Sequence, residues 1–337
     1  MKSKNLFCQI KVRREHEKRW QKVILVVLLF FWAGGTYYGY QQTTGSRDKL
    51  QKVTIGYQKG DPVDVSRSRG VLVKKMKELG YRVVFKEFAD GASEMQALAA
   101  GSINYARTGD TPPVTAAASG TDIAYIAAGA SRSSGSGILV QKDSDVDSVK
   151  ALQGKKVAYT QSTSSQFLLL QALSKAGVSA SDIEWVNMKQ ADAAIAFSKG
   201  DVDAWFTWDP YTAQGQVTQQ AKLLTNGDGL SQNRDFILST QQYAKKHEAV
   251  SEYLVKYLSE DMTWANEHPK ALTKLLTKAL GMKQTIVAKM VDRRDWTLTP
   301  MTKAIAKEEQ TIANVFYEND LIKQRINVSD DVIYVSE

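Results

Sequence analysis

The sequence has one cysteine and three histidines in 337 residues. A lone Cys8 excludes an internal disulfide framework, a cysteine-rich zinc site and a CxxC redox pair. His16, His247 and His268 are far apart, with no HxxxH or HExxH spacing, so no metal centre and no cofactor is expected. A GxSxG elbow, a Walker motif and a Ser-His-Asp set are also missing, which argues against the commonest hydrolase and nucleotide chemistries. Charge of one sign is scarce once the chain is divided. The formal +8 places +6 on residues 1–22, and the other 315 residues carry 36 basic and 34 acidic side chains. A near-neutral body excludes a broad phosphate-binding surface, and no nucleic-acid partner is expected.

What is present begins with an apolar run, Val23–Ala33, behind that basic flank, with no charge from Val23 until Arg47. Such a segment keeps its basic end in the cytoplasm while the following chain is translocated. Val23–Tyr40 would make a helix of about 27 Å, just long enough to span a bilayer. Tyr37, Tyr38 and Tyr40 would then form an outer aromatic belt, whereas Ala33 and Gly35 have the small-x-small spacing of a cleavage site. The segment therefore reads as a signal sequence or a transmembrane anchor, and the body as extracytoplasmic. Cys8 precedes the run and cannot be a lipoprotein cysteine. Residues 41–49 read as a polar linker.

From residue 50 short apolar runs alternate with helix-length segments. Strands are expected at Val53–Tyr57, Tyr81–Phe85, Ile103–Arg107, Ile123–Ala128, Ile138–Gln141, Lys156–Thr160 and Val202–Thr207. Helices are expected at Ser66–Leu79, Ala92–Ala100, Ser164–Ala176 and Ala191–Lys199. Gly80, Gly101, Gly177 and Gly200 serve as their C-caps. This alternation implies parallel sheets covered by helices. Beyond about residue 240 the strands stop, and 241–318 is helical in pattern, broken at Pro269, Gly281 and Pro300.

The chain echoes itself once. Gly101–Asp110 (GSINYARTGD) and Gly200–Asp209 (GDVDAWFTWD) align without gaps, each running from Gly through a strand to Thr-x-Asp, with Pro just beyond. Ligands of open α/β sheets sit at the carboxyl ends of strands, so two such ends facing each other would form a cleft. The same pattern is also ordinary turn grammar in α/β proteins.

Five motifs, taken in order, resemble those of the aliphatic-sulfonate-binding proteins. They are Tyr57-Gln58-Lys59-Gly60, Thr108-Gly109-Asp110-Thr111-Pro112-Pro113, Val157–Leu173, Trp208-Asp209-Pro210-Tyr211 and Phe316-Tyr317-Glu318-Asn319. These are extracytoplasmic substrate receptors of ABC importers, close to the taurine, nitrate and thiamine-precursor receptors. The resemblance spans about residues 51–335. One departure is Gln161–Ser165, where the family usually has Lys-Gly before a Ser run, so a nearby cation is lost and the choice of anion stays open. The resemblance implies a bilobal α/β periplasmic-binding-protein fold of type II with a two-crossover hinge. One lobe would be 50–134 plus 236–337 and the other 135–235. It also implies a small organic anion, an alkanesulfonate above others, as ligand. A permease and, through it, an ATPase are the expected partners, and the receptor itself is expected to be a monomer.

The candidate ligand residues follow from chemistry at the strand ends. Thr163, Ser164 and Ser165 stand at a helix start, where hydroxyls, N–H groups and the helix dipole favour an anion, although any helix needs such caps. Thr108 and Gly109 could complete an anion cup, and Gln58 could donate to it. Asp110, of like charge, would cap the next helix or orient donors. Trp208 would carry the ligand's tail, and Trp205 reads as core. Asp209 would take an ammonium group or cap a helix. The rival readings are an enzyme of this fold, which would turn its ligand over, and an anchored sensor or structural protein, which would bind a partner without ligand.

Overall fold

The computed structural model of the protein describes Trp32 and residues 50–335. The basic segment 1–22, the linker 41–49 and all of 23–40 except Trp32 lie outside these residues, as do the export and anchor expectations placed on them. No helix among the described residues is long and apolar enough to cross a membrane.

The body begins with β1 (Gln51–Tyr57), whose last five residues are buried. Asp61 then caps α1 (Pro62–Arg69) by accepting from the Asp64 N–H at 2.7 Å, and Pro62 supplies the preset first turn. Where one helix over Ser66–Leu79 was expected there are two. Gly70 adopts φ 73°, returns its N–H to Ser66 and ends α1, and α2 (Val71–Glu78) starts afresh. β2 (Tyr81–Glu87) pairs in parallel with β1. Asp90 caps α3 (Gly91–Ala99), and β3 (Ala106–Thr108), α4 (Thr111–Ala118) and β4 (Ala124–Gly129) follow. β3 is shorter than expected because Asn104 bonds Thr54 with both its backbone and its side chain before the strand begins.

The chain then crosses to a second lobe. There β5 (Ser136–Val140), β6 (Lys156–Tyr159), α5 (Ser164–Lys175), β7 (Glu184–Asn187), α6 (Gln190–Lys199), β8 (Ala204–Trp208), α7 (Tyr211–Thr218) and β9 (Lys222–Asn226) form a five-stranded sheet, order β7-β6-β8-β5-β9, and its helices. It returns as β10 (Phe236–Ser239), followed by α8 (Gln241–Lys246), α9 (Glu248–Glu267), α10 (Pro269–Leu280), α11 (Gln284–Asp292), β11 (Leu298–Pro300) and α12 (Lys303–Glu318). A four-stranded sheet, order β11-β4-β10-β3, results. Gly80, Gly101, Gly177 and Gly200 all have positive φ, as expected of caps.

Two expectations need correction. The two larger sheets are not parallel: β10 runs antiparallel to β3 and β4, and in the five-stranded sheet β5 runs antiparallel to β8 and β9 while β6 pairs in parallel with β7 and β8. β5 and β10 are the strands entered directly from a crossover, so each meets its sheet from the opposite end. Strands also do not stop at residue 240, since β11 pairs with β4; three residues are too few to show a period.

The two crossovers are tied to each other. Gly129 donates to Asp235 O at 2.8 Å, Arg132 to Gln232 O at 3.1 Å and Gly227 to Ser133 O at 3.0 Å. Beside them Phe167 of α5 meets Phe316 of α12, ring centroids 6.1 Å apart, within one buried cluster that draws on both lobes. Trp205 lies in the other face of the second sheet, 1% exposed, as expected of core.

Candidate functional site

The echoed strands β3 and β8 end at one small cavity between the lobes. Gln58, Gly91, Gly109, Pro112 and Arg132 line it from one side, and Thr163, Ser164 and Trp208 from the other. Its free volume is about 10 Å³, roughly room for a single water, so the lobes are closed on each other. Three helix starts meet here: α3 begins at Gly91, α4 has Pro112 in its first turn, and α5 begins at Ser164. Their N-terminal dipole ends favour negative charge.

The cation at this site is Arg132, which the sequence reading missed. It lies on the first crossover, is 12% exposed, and its Nε stands 3.0 Å from Asp235. It is the only basic residue between Arg107 and Lys142, a signal hidden within a Ser-Gly run. A Cβ on Gly109 would fall 2.6 Å from both Arg132 Nη2 and Ser164 Oγ. Only glycine lets the guanidinium and the hydroxyl reach the same point.

Beneath Arg132 lies a buried charge cluster. Asp235 pairs with Arg107, Arg132 and Arg294, and Arg107 Nε also stands 3.5 Å from Asp61. Burial lowers the pKa of Arg107 and of Arg294 to about 10. Burial, followed by repulsion from Arg107 and Arg294, pushes Arg132 well below its ordinary value. Burial raises Asp61 to about 6. Glu94 accepts from the Arg107 N–H at 2.6 Å and from Gln58 Nε2 at 3.1 Å, yet burial, then the charge of Asp61, raise it to about 8. Three crowded guanidiniums converge on Asp235, with Asp61 beside Arg107 alone, so an entering anion relieves their repulsion.

Gln58, Gly109, Thr163, Ser164 and Trp208 are thus gathered at the cavity, with differing freedom. Gln58 spends its amide protons on Glu94 and on Arg107 O, at 3.1 and 3.3 Å, so it cannot donate to an anion without releasing one. Thr163 caps α5, accepting from the Ser165 N–H at 3.3 Å and donating to Thr160 O at 2.7 Å. Ser164 donates across the cleft to Asp110 at 2.8 Å. A ligand must draw that proton away.

The polar atoms of the other four are engaged elsewhere. The Thr108 hydroxyl is fully buried and donates to Gly109 O at 2.8 Å, so it does not complete the cup. Asp110 makes no side-chain cap; it orients donors, accepting from Ser164, from Thr111 at 3.1 Å and from Ser231 at 3.2 Å. Ser165 is buried and clips β6 to β8, donating to Phe206 O at 3.1 Å and accepting from the Thr160 N–H at 3.2 Å. Both oxygens of Asp209 are taken by Arg293, a residue at the end of α11, and the Ala213 N–H adds a bond at 3.0 Å. The Ala213 N–H bond fits the cap reading of Asp209, and the charge an ammonium group would seek is already met by Arg293.

Comparison with known proteins follows the same lines. The NMT1/THI5-like family profile matches residues 76–272. The chain is 33% identical over 280 residues to a putative aliphatic sulfonates-binding protein of Escherichia coli K12, covering 82% of this chain and 87% of that one. The alkanesulfonate-binding protein SsuA from Xanthomonas axonopodis pv. citri, solved bound to MOPS, superposes with a TM-score of 0.80 at 29% identity, covering 86% of this chain and 99% of that one. The desulfurization enzyme DSZB shares only the fold, at 13% identity and a TM-score of 0.62 over 84% of this chain and 96% of its own.

Proposed function

The chain belongs to the NMT1/THI5-like family, as a bilobal binding protein akin to the aliphatic-sulfonate receptors, and from that premise we propose that it captures a small organosulfonate between its lobes for an ABC importer. The observation that carries this reading is the meeting of Arg132, the Gly109 gap and three helix starts at one cavity. A sulfonate stays ionised at ordinary pH and offers three acceptor oxygens, which suits one guanidinium and a ring of neutral donors. The charge lost with the Lys-Gly pattern at 161–165 is supplied instead by Arg132, from the crossover.

The cavity as closed has no room for a ligand, so capture requires the lobes to part about the two crossovers, near residues 130–135 and 227–235. Cross-lobe bonds hold the closed form: Ser164 to Asp110, and Asp209 to Arg293. The sulfonate takes over the first of them. Trp208, half-buried at the rim, presents an aromatic face to the tail. We take the receptor to be monomeric and to lie outside the cytoplasmic membrane, delivering its ligand to a permease driven by an ATPase. Residues 23–40 either direct export or anchor it. We take binding to proceed without turnover, as the names of the sulfonate-binding relatives suggest.

Thermal melting across C1–C8 alkanesulfonates tests this. At a ligand concentration about 100 times the dissociation constant, linkage adds about 2.7 kcal/mol. A melting temperature that stays flat across the series at millimolar concentrations sinks the reading.

A further inference from the structure

A second cavity, of about 510 Å³, opens beside the second crossover. Phe167 of α5 and Phe236 of β10 contribute an apolar floor. Its walls carry the carboxyl groups of Asp110, Asp228, Glu308 and Glu309, and the lone cation among its lining residues, Arg234, is already held by Glu308 at 2.8 Å. Asn233, also in the wall, is 1% exposed; its Nδ2 donates to Ser136 Oγ at 2.6 Å while its Oδ1 has no hydrogen-bond partner. A buried acceptor left open in native structure calls for an occupant that donates.

An acceptor-rich wall over aromatic carbon excludes anions and suits an organic cation. We propose that this cavity binds a small primary ammonium ion with an apolar body, its N–H groups donating to Asn233 Oδ1 and the carboxyl groups and its alkyl part lying on Phe167 and Phe236. Glu309 fits this role. It accepts from the Tyr125 hydroxyl at 3.1 Å, and burial, then the charge of Asp110, keep its carboxyl well above the usual range until a cation arrives.

The occupant would be felt in the sulfonate cleft, a consequence that rests on the function proposed above. Asp110 accepts from Ser231 on the side of this cavity and from Ser164 on the side of the cleft. A cation on one side of Asp110 and a sulfonate on the other attract, and each tightens the other by the same factor.

Isothermal titration of the full chain with n-butylammonium chloride, with n-butanol as the uncharged control, tests the site. Saturable one-to-one binding of the ammonium and none of the alcohol is expected. The rim variant Asp228→Asn/Glu308→Gln should weaken binding about tenfold or more. Thr311→Trp, which sets an indole in the cavity mouth, should abolish it, and both variants should melt as the parent does. Absence of ammonium binding to the parent overturns the proposal, as does equal binding of n-butanol or undiminished binding by Thr311→Trp. Methanesulfonate run in parallel separates the two readings. If it fails while n-butylammonium binds, the cleft reading falls and this cavity stands; if it binds while n-butylammonium fails, only this cavity falls.

Discussion

Gly109→Ala asks whether the space at the end of β3 is where the anion sits. Gly109 does not have a positive φ, so alanine suits its backbone. The added Cβ would fall 2.6 Å from Arg132 Nη2 and from Ser164 Oγ, about 0.8 Å inside ordinary contact at 3.4 Å. Arg132 is tethered by Asp235 and Ser164 by Asp110, so both must turn away from the cavity. A sulfonate then loses up to two hydrogen bonds, each worth about 1.5–3 kcal/mol where one partner is charged. Together that is roughly 3–6 kcal/mol, or about 10² to 10⁴ in affinity. Titration calorimetry with methanesulfonate reads the loss, and thermal melting checks that the fold remains. A Gly109→Ala protein that melts normally and binds methanesulfonate within a few-fold of the parent refutes the placement.

Other expectations follow from the same geometry. Trp208→Ala should weaken long sulfonates more than short ones, by up to about 0.8 kcal/mol per methylene left exposed; an equal loss for methanesulfonate and octanesulfonate removes Trp208 from the tail. Ser164→Ala and Ser165→Ala should separate. The first lowers affinity while leaving Asp110 two other side-chain donors, Thr111 and Ser231, and the second lowers stability by about 1–3 kcal/mol because the Thr160 N–H loses its acceptor, which denaturant melts compared with calorimetry will reveal. Glu94 is raised from 4.5 to about 8, so between those values the folded chain holds a proton that the unfolded chain has released. Stability should therefore fall as pH rises from about 5 to 8, with Glu309 adding in the same direction. Glu94→Gln should reduce that slope between pH 6 and 8, and an unchanged slope in urea melts would rule Glu94 out as its source.

Much of the scaffold was legible because it is written in local signals. Gly after a periodic run marks a helix end, and the echo of Gly101–Asp110 in Gly200–Asp209 led to the two strand ends that line one cavity. Strand direction was not legible, because it depends on where a crossover enters the sheet and not on the residues of β5 or β10. The candidate site divided along the same line. Gly109, Ser164 and Trp208 lie at the ends of elements, and the pattern brought them together. Thr108, Ser165 and Asp209 sit beside them, but their polar atoms are engaged: Thr108 by the neighbouring Gly109 O, and Ser165 and Asp209 by the tertiary partners Phe206 O and Arg293. No spacing announces a partner 84 residues away, as with Arg293 and Asp209. Arg132 was passed over for the opposite reason, since a loop arginine looks solvated until Asp235 is seen to hold it inward.

The most direct test of the cleft as a sulfonate site is calorimetric titration of methanesulfonate into the parent protein and into Arg132→Met, with the ligand recovered afterwards and weighed by mass spectrometry. The parent should bind one equivalent and return it unchanged. Arg132→Met, still folded because Arg107 and Arg294 continue to neutralise Asp235, should bind at least about tenfold more weakly. Equal affinity in the two proteins, or a ligand returned as a different compound, would contradict the account.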